Sequence, residues 1–156
     1  MKIAVLDNLR SVYNVGSIFR TANAVGVEKI ILCGTTPTPL DKKGGKRKDF
    51  AKVALGAEDT ILWEYRDETI ETIKTLRQED FYVIALEQDS RAIDYKEVAI
   101  EGKENIAFVV GHEVDGIPED VLEICSVIAT IPMLGTKESL NVTIAFGVAT
   151  YRILGV

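Results

Sequence analysis

Three polar segments of the sequence contain residue types that can bind a ligand or take part in proton transfer. They are Asn8–Thr21, which includes Arg20, then Gly111–Pro118, which includes Glu113, and Ile131–Val142. A guanidinium can hold a phosphate, a carboxylate can accept a proton, and a glycine lets a ligand approach the backbone closely. Each segment follows an apolar run that predicts a strand. Because ligands collect at the carboxyl ends of strands in open α/β sheets, we expect the segments to form one site.

The first segment predicts a helix with a polar side. Its apolar residues recur at helical spacing: Val15, Ile18, Phe19, Ala22 and Val25. At about 100° per residue, Arg20 lies roughly 160° from the middle of this stripe, so it faces away from the core with Gly16 and Asn23. The alternative for Arg20 is a solvated arginine without function. By itself, Asn14 fits the N-cap of this helix better than a ligand position.

The second and third segments exclude several common sites. His112 is the only histidine, so it lacks a partner for zinc or a catalytic triad, and we expect a structural or incidental role. Gly116 stands where a His-Glu-x-x-His zinc motif needs its second histidine. In the third segment we expect Ser139 to cap the final helix and Asn141 to lie in its first turn, where free N–H groups can meet a ligand.

Strand and helix patterns alternate around these segments. Apolar runs predict strands at residues 2–6, 29–33, 81–86, 106–110 and 127–131. Periodicity predicts helices at residues 15–25, 49–55, 68–78, 118–125 and 139–154, with a loop at 34–48. Repeated β-α units predict an α/β fold, a single domain over residues 1–156 with a mostly parallel sheet and helices on both faces.

Length and composition are those of one globular domain. The 156 residues are 47% hydrophobic, which is enough to fill a core. No stretch approaches the roughly 18 apolar residues of a membrane span, and Met1–Leu6 is too short an apolar run for a signal peptide. Cys33 and Cys125 lie far apart in apolar surroundings, so we expect reduced thiols in a cytoplasmic protein, the alternative being a disulfide.

Charge is distributed unevenly along the chain. The net charge is −6, yet residues 1–56 contain ten Lys and Arg against four acidic residues, and the remainder contains eight against twenty. This asymmetry favours a polyanion partner for the first part of the chain, the alternative being chance clustering in a solvated loop. The positive charge is concentrated at Lys42, Lys43, Lys46, Arg47 and Lys48.

The predicted helix at residues 139–154 is apolar around nearly its whole circumference, and Arg152 is its only charged residue. One sheet face covers only one side of such a helix, so something else must cover the other side. A second copy of the chain is the economical candidate. Burial by long loops within the monomer is the alternative.

Taken together, the three segments resemble the motifs of the SpoU (TrmH) branch of the SPOUT RNA methyltransferases. The first segment, with Asn14, Gly16 and Arg20, resembles the first motif. Gly111–Pro118 resembles the second and Ile131–Val142 the third, in matching order and spacing over nearly the whole chain. His112 departs from the pattern, because many members have Asn there. The resemblance implies a homodimeric, S-adenosylmethionine-dependent enzyme that methylates a ribose 2′-hydroxyl of tRNA or rRNA, with a deep trefoil knot formed by the C-terminal segment.

The resemblance also implies where the ligands bind. The cofactor would lie in the knot, largely on backbone groups, at four motif residues and one residue from outside the motifs: Gly111, Ile131, Ser139, Leu140 and Leu86. The RNA contacts are indicated by charge. Because the loop concentrates positive charge on an otherwise acidic protein, and because the chain resembles the family's catalytic domain alone, we expect RNA phosphates to be contacted by Lys42, Lys43, Lys46, Arg47 and Lys48. No metal is implied.

Catalytic roles follow from the same resemblance. Proposals for the family make the motif-one arginine, here Arg20, the proton acceptor. Because arginine is effectively always protonated, we expect Arg20 instead to hold a phosphate and stabilise the developing alkoxide. Glu113 would accept the proton or orient Arg20, and Asn14, Ser139 and Asn141 would position groups by hydrogen bonds.

Two alternatives remain open, a SPOUT enzyme that methylates a base and an RNA-binding module that has lost catalysis. The intact set of Asn14, Arg20, Glu113, Ser139 and Asn141 speaks against the second. The first motif, with Arg20, favours the ribose over the base.

Overall fold

The computed structural model describes all of residues 1–156 and contains one seven-stranded sheet. The strands are β1 Lys2–Asp7, β2 Lys29–Cys33, β3 Leu62–Arg66, β4 Tyr82–Leu86, β5 Ile93–Asp94, β6 Ile106–Val110 and β7 Val127–Thr130. They lie in the order β3-β2-β1-β6-β4-β7-β5, and every neighbouring pair is parallel. The predicted α/β fold with a parallel sheet is therefore confirmed.

Helices cover both faces of the sheet, as the strand-helix alternation predicts. They are α1 Val12–Ala24, α2 Lys48–Ala54, α3 Ala57–Thr60, α4 Thr69–Gln78, α5 Glu119–Ile124 and α6 Val142–Leu154, with a 3₁₀ helix at Tyr95–Glu97. One hydrophobic core joins the sheet to α1, α2 and α6, and a second joins it to α4 and α5. None of the helices is long and apolar enough to cross a membrane.

The central strands are apolar because both of their faces are buried. Ala4 and Leu6 of β1 belong to the core under α1 and α6, whereas Ile3 and Val5 belong to the core under α4 and α5. Successive side chains of a strand point to opposite faces, so a strand covered on both sides needs apolar residues at every position. This explains why these strands are continuous apolar runs in the sequence.

Sequence patterns predict neither β3 nor β5. The edge strand β3 is half polar, with Glu64 and Arg66 in it, and its Leu62 and Tyr65 are exposed. An edge strand that is buried on neither face lacks the apolar run by which the central strands are recognised. The strand β5 has only two residues, which is too short for any periodicity.

The sheet order brings the polar segments to one edge. Strands β1, β6, β4 and β7 are consecutive neighbours, and parallel strands end at the same edge. The residues that follow them are 8–11, 111–118, 87–92 and 131–141, so all three polar segments meet there although they are distant in sequence.

Candidate functional site

A cavity of about 380 Å³ opens at this edge of the sheet, a volume typical of small-molecule sites. Its wall is formed by the ends of β4, β6 and β7, by the loop after β6 and by the start of α6. Half of the residues that line it are hydrophobic. The charged side chains in the lining are the carboxylates of Glu87 and Glu113, with no Lys or Arg among them. The cavity is therefore suited to an amphipathic ligand that carries positive charge.

All five residues that the resemblance assigns to the cofactor line this cavity: Leu86, Gly111, Ile131, Ser139 and Leu140. Three of the five proposed catalytic residues, Glu113, Ser139 and Asn141, also line it. The other two, Asn14 and Arg20, lie on α1 outside the lining. The structure thus brings the second and third segments around one space and leaves the first segment beside it.

The loop after β6 is folded tightly back on itself. A Cβ on Gly111 would lie 2.5 Å from the backbone carbon of Gly116 and from the nitrogen of Ile117. Gly116 has a φ of +70°, and a Cβ there would lie 2.5 Å from Oε2 of Glu87. Gly111 needs to be glycine because backbone atoms approach it closely. Gly116 needs to be glycine because of its close neighbour and because of its left-handed backbone conformation.

Sequence reasoning missed Glu87 and Gln88, which follow β4 directly and line the cavity. The Glu87 carboxylate accepts hydrogen bonds from the backbone N–H groups of Ile117 and Gln88, both at 2.9 Å. The Gln88 amide donates to the carbonyl oxygen of Ile131 at 2.9 Å. These two side chains tie the end of β4 to the second and third segments. The signal was their position, immediately after a buried strand at the edge where ligands bind.

Glu113 connects the loop after β6 to the start of α1. Its carboxylate accepts hydrogen bonds from the backbone N–H groups of Arg10 and Ser11, both at 3.1 Å, and from the side-chain amide of Asn14 at 3.0 Å. Partial burial raises the pKa of Glu113, but the hydrogen bonds from Asn14 and the backbone outweigh it, and the pKa is lowered overall. Glu113 is therefore a firmly ionised anchor.

Two expectations about α1 are wrong. Ser11 is the N-cap, with its hydroxyl accepting from the N–H of Asn14 at 3.2 Å, so Asn14 lies inside the first turn. Gly16 does not share the open side of Arg20, because it is buried against α2, where a Cβ would lie 3.0 Å from that of Val53. Arg20 itself is exposed, as predicted, and it is not among the hydrogen-bond partners of Glu113.

The start of α6 also differs from the sequence interpretation. Asn141, not Ser139, is the N-cap, and its side-chain oxygen accepts from the N–H of Thr143 at 2.9 Å. Ser139 and Leu140 belong to the exposed stretch that runs along the cavity. Both Ser and Asn are good N-caps, so the sequence alone did not choose between two positions only two residues apart.

The basic loop lies apart from the cavity and is partly paired within the chain. Lys46 forms an ion pair with Asp59 at 2.6 Å, and Arg47 forms two hydrogen bonds with Asp49, at 2.8 and 3.1 Å. The remaining basic residues of the loop, Lys42, Lys43 and Lys48, are exposed and form no ion pair. No cluster of three or more His, Cys, Asp or Glu side chains is arranged to hold a metal ion.

Comparison with known proteins agrees with the resemblance in the sequence. The SpoU rRNA Methylase family matches residues 1–151. The chain is 32% identical over 150 residues to the 23S rRNA (guanosine-2'-O-)-methyltransferase RlmB of Xylella fastidiosa, covering 96% of this chain and 57% of the relative. It therefore spans little more than half the length of the curated relatives it matches.

Two solved structures have the same fold. An AdoMet-bound rRNA methyltransferase from Sinorhizobium meliloti superposes with a TM-score of 0.87 at 27% identity, over 97% of this chain and 55% of that chain. A TrmH/SpoU tRNA modifying enzyme from A. aeolicus superposes with a TM-score of 0.84 at 25% identity, over 99% of this chain and 74% of that chain.

The tight fold of the loop after β6 predicts different effects for two glycine substitutions. Gly111→Ala should lower the free energy of unfolding by about 1–3 kcal/mol, because its Cβ collides with backbone that cannot move aside. Gly135→Ala is the matched control, since no atom lies within 4 Å of its Cβ. The effect of a methyl group on the unfolded chain is common to both and cancels. Urea denaturation measures the difference, and equal stabilities would show that the loop has room.

Proposed function

The chain belongs to the SpoU rRNA methylase family, and from this premise we propose that it transfers a methyl group from S-adenosylmethionine to a ribose 2′-hydroxyl of RNA. The substrate is tRNA or rRNA, and residues 1–156 act as one catalytic domain. The observation that carries the proposal is the cavity at the carboxyl edge of the sheet. Its lining includes all five residues that the resemblance assigns to cofactor binding. Cys33 and Cys125 are free thiols, which suits work in the reducing cytoplasm.

The residues present fit the cofactor. S-adenosylmethionine contains an apolar adenine and a cationic sulfonium. The cavity has a half-hydrophobic lining and two carboxylates, with no lysine or arginine. Leu86, Gly111, Ile131, Ser139 and Leu140 would hold it, and the bound cofactor supplies an electrophilic methyl group. The protein must then place a ribose 2′-hydroxyl in line with that methyl, let the hydroxyl proton pass to a base or to water, and stabilise the negative charge that this leaves on the oxygen.

The first segment supplies that charge stabilisation. Arg20 is exposed and permanently cationic, so it can hold an RNA phosphate and the developing alkoxide rather than accept a proton. Glu113 positions the helix that carries Arg20, because its hydrogen bonds all run to the start of α1. Asn14, Ser139 and Asn141 contribute by orienting groups through hydrogen bonds. The proposal assigns no role to a metal.

We further propose that the C-terminal segment forms a trefoil knot. Helix α6 packs on β4 and β6 and also contacts the 3₁₀ helix at Tyr95–Glu97, which belongs to the connection from β5 to β6. A C-terminal helix that passes between that connection and the sheet would form both sets of contacts. The match in fold to SpoU structures supports this path of the chain.

The active unit that we propose is a homodimer built on α6. Phe146, Ala149 and Ile153 fill the core, but Ile144 and Val148 on the same helix remain 53% and 40% exposed. A symmetric contact would cover this apolar side with its own copy. Helix α6 also packs on α1, since a Cβ on Gly147 would lie 3.6 Å from Cγ2 of Thr21. The neighbouring Arg20 would then lie beside the interface, where it could serve the site of the partner.

The Arg20→Ala variant should keep cofactor binding and lose methyl transfer. Wild type should bind S-adenosylhomocysteine at one molecule per chain, and the variant should bind it with nearly the same affinity, since Arg20 is outside the cavity lining. Methyl transfer should fall by roughly 100-fold or more, as for other losses of a group that stabilises a developing oxyanion. Calorimetry measures binding, and mass spectrometry of nucleosides measures the product. Arg66→Ala, on the edge strand β3, is the control.

The same experiment tests the alternatives. No heat with millimolar S-adenosylhomocysteine would contradict a methyltransferase of either kind. A methylated base in place of a 2′-O-methyl nucleoside would make the chain a base-modifying enzyme. RNA binding without cofactor binding would leave an RNA-binding module.

Only some residues of the basic loop form ion pairs, so the residues of this loop should contribute unequally to RNA binding. Replacing the exposed Lys42, Lys43 and Lys48 by alanine should weaken binding and reduce its log–log salt slope by roughly 0.7 for each lost phosphate contact on a single strand. Replacing Lys46 and Arg47, which already have carboxylate partners, should change the slope less per residue. Filter binding at several salt concentrations measures the salt slope of each variant. Wild-type slopes in both variants would mean that the loop carries solvated charge only.

A charge on the exposed side of α6 should separate the dimer. Val148→Glu would bury an unpaired carboxylate in the contact, at a cost of several kcal/mol, while the monomer core, which excludes Val148, stays intact. Leu62→Glu is the control, because Leu62 is another exposed apolar residue, 66% exposed and far along the sheet on β3. Sedimentation should give monomer for the first variant and dimer for the second. A fully active wild-type monomer would refute the dimer.

A further inference from the structure

The loop after β6 contains a histidine to which the proposed reaction gives no role. The Nδ1 atom of His112 accepts hydrogen bonds from the backbone N–H groups of Asp115 at 3.0 Å and Val114 at 3.3 Å. An imidazole nitrogen accepts only when it carries no proton, so these two hydrogen bonds belong to the tautomer that is protonated at Nε2. His112 is 13% exposed and lines the cavity, so it is not an incidental surface residue.

These hydrogen bonds close the turn on which the site depends. The carbonyl oxygen of His112 accepts from the N–H of Gly116 at 2.9 Å across the same turn. The far end of the turn is held by the Glu87 carboxylate on the N–H of Ile117. The side chain of Glu113, which accepts hydrogen bonds from the start of α1, projects from between the residues that these hydrogen bonds join. The imidazole therefore sets the shape of a turn that faces the cavity on one side and reaches α1 on the other.

We infer that His112 is a positioning residue, whose unprotonated Nδ1 holds residues 112–116 in the conformation that cofactor binding needs. The inference rests on the proposed function, because that function names the ligand of the cavity. An asparagine could take over the task, since its Oδ1 is the same number of bonds from Cα as Nδ1 and accepts N–H groups two and three residues ahead. Alanine offers no acceptor and would leave both N–H groups without this partner.

The test measures S-adenosylhomocysteine binding by calorimetry to wild type, His112→Asn and His112→Ala. At about pH 8 we expect wild type and His112→Asn to agree within about twofold, and His112→Ala to bind about tenfold more weakly for two lost hydrogen bonds. Asparagine keeps an acceptor at this position and alanine does not, so rescue by His112→Asn separates the loss of the two hydrogen bonds from the loss of the ring.

Amide hydrogen exchange provides a readout that needs no ligand. The N–H groups of Val114 and Asp115 should exchange slowly in wild type and His112→Asn, and faster in His112→Ala. If wild type binds no S-adenosylhomocysteine, the proposed function itself fails. If wild type binds and His112→Ala matches it at about pH 8, only the inference about His112 is overturned.

Discussion

One carboxylate holds the candidate site together. Glu113 links the loop after β6 to Arg10, Ser11 and Asn14 at the start of α1, 99 to 103 positions away in sequence. Arg10 and Ser11 donate their backbone N–H groups, and Asn14 donates its side-chain amide. An anion at this end of a helix also meets the partial positive charge of the helix N-terminus. These hydrogen bonds lower the pKa of Glu113, and they join the loop to a helix whose Ile18 and Phe19 are buried in the core.

The sheet makes that contact possible. Because β6 lies between β1 and β4, the loop that follows it is flanked by the first segment on one side and by Glu87 on the other. Each neighbour contributes hydrogen bonds to this loop, and the loop's own glycines allow it to stay compact between them. The position of one strand in the sheet thus decides which distant residues become neighbours.

Sequence patterns predicted the parts of the fold that are buried on both faces and missed those that are not. The bounds of β2 and β6 agree with the apolar runs at residues 29–33 and 106–110, whereas the exposed edge strand β3 left no such run. Gly16 was misplaced because a helical wheel shows the stripe that meets the sheet but not the second contact, with Val53 of α2. The contacts of Glu113 and Glu87 are tertiary, so the motifs indicated Glu113 without its partners and did not indicate Glu87 at all.

The separation between Arg20 and the cavity is the least expected feature of the site. A residue that stabilises the developing alkoxide must lie close to the transferred methyl, yet Arg20 is exposed and outside the lining. Helix α1 packs on α6, with Thr21, the residue after Arg20, close to Gly147, and the apolar side chains of Ile144 and Val148 on α6 are 53% and 40% exposed. In the proposed dimer, a single contact between copies would bury those side chains and put Arg20 beside the interface. Covering the helix and completing the site would then be two consequences of the same association.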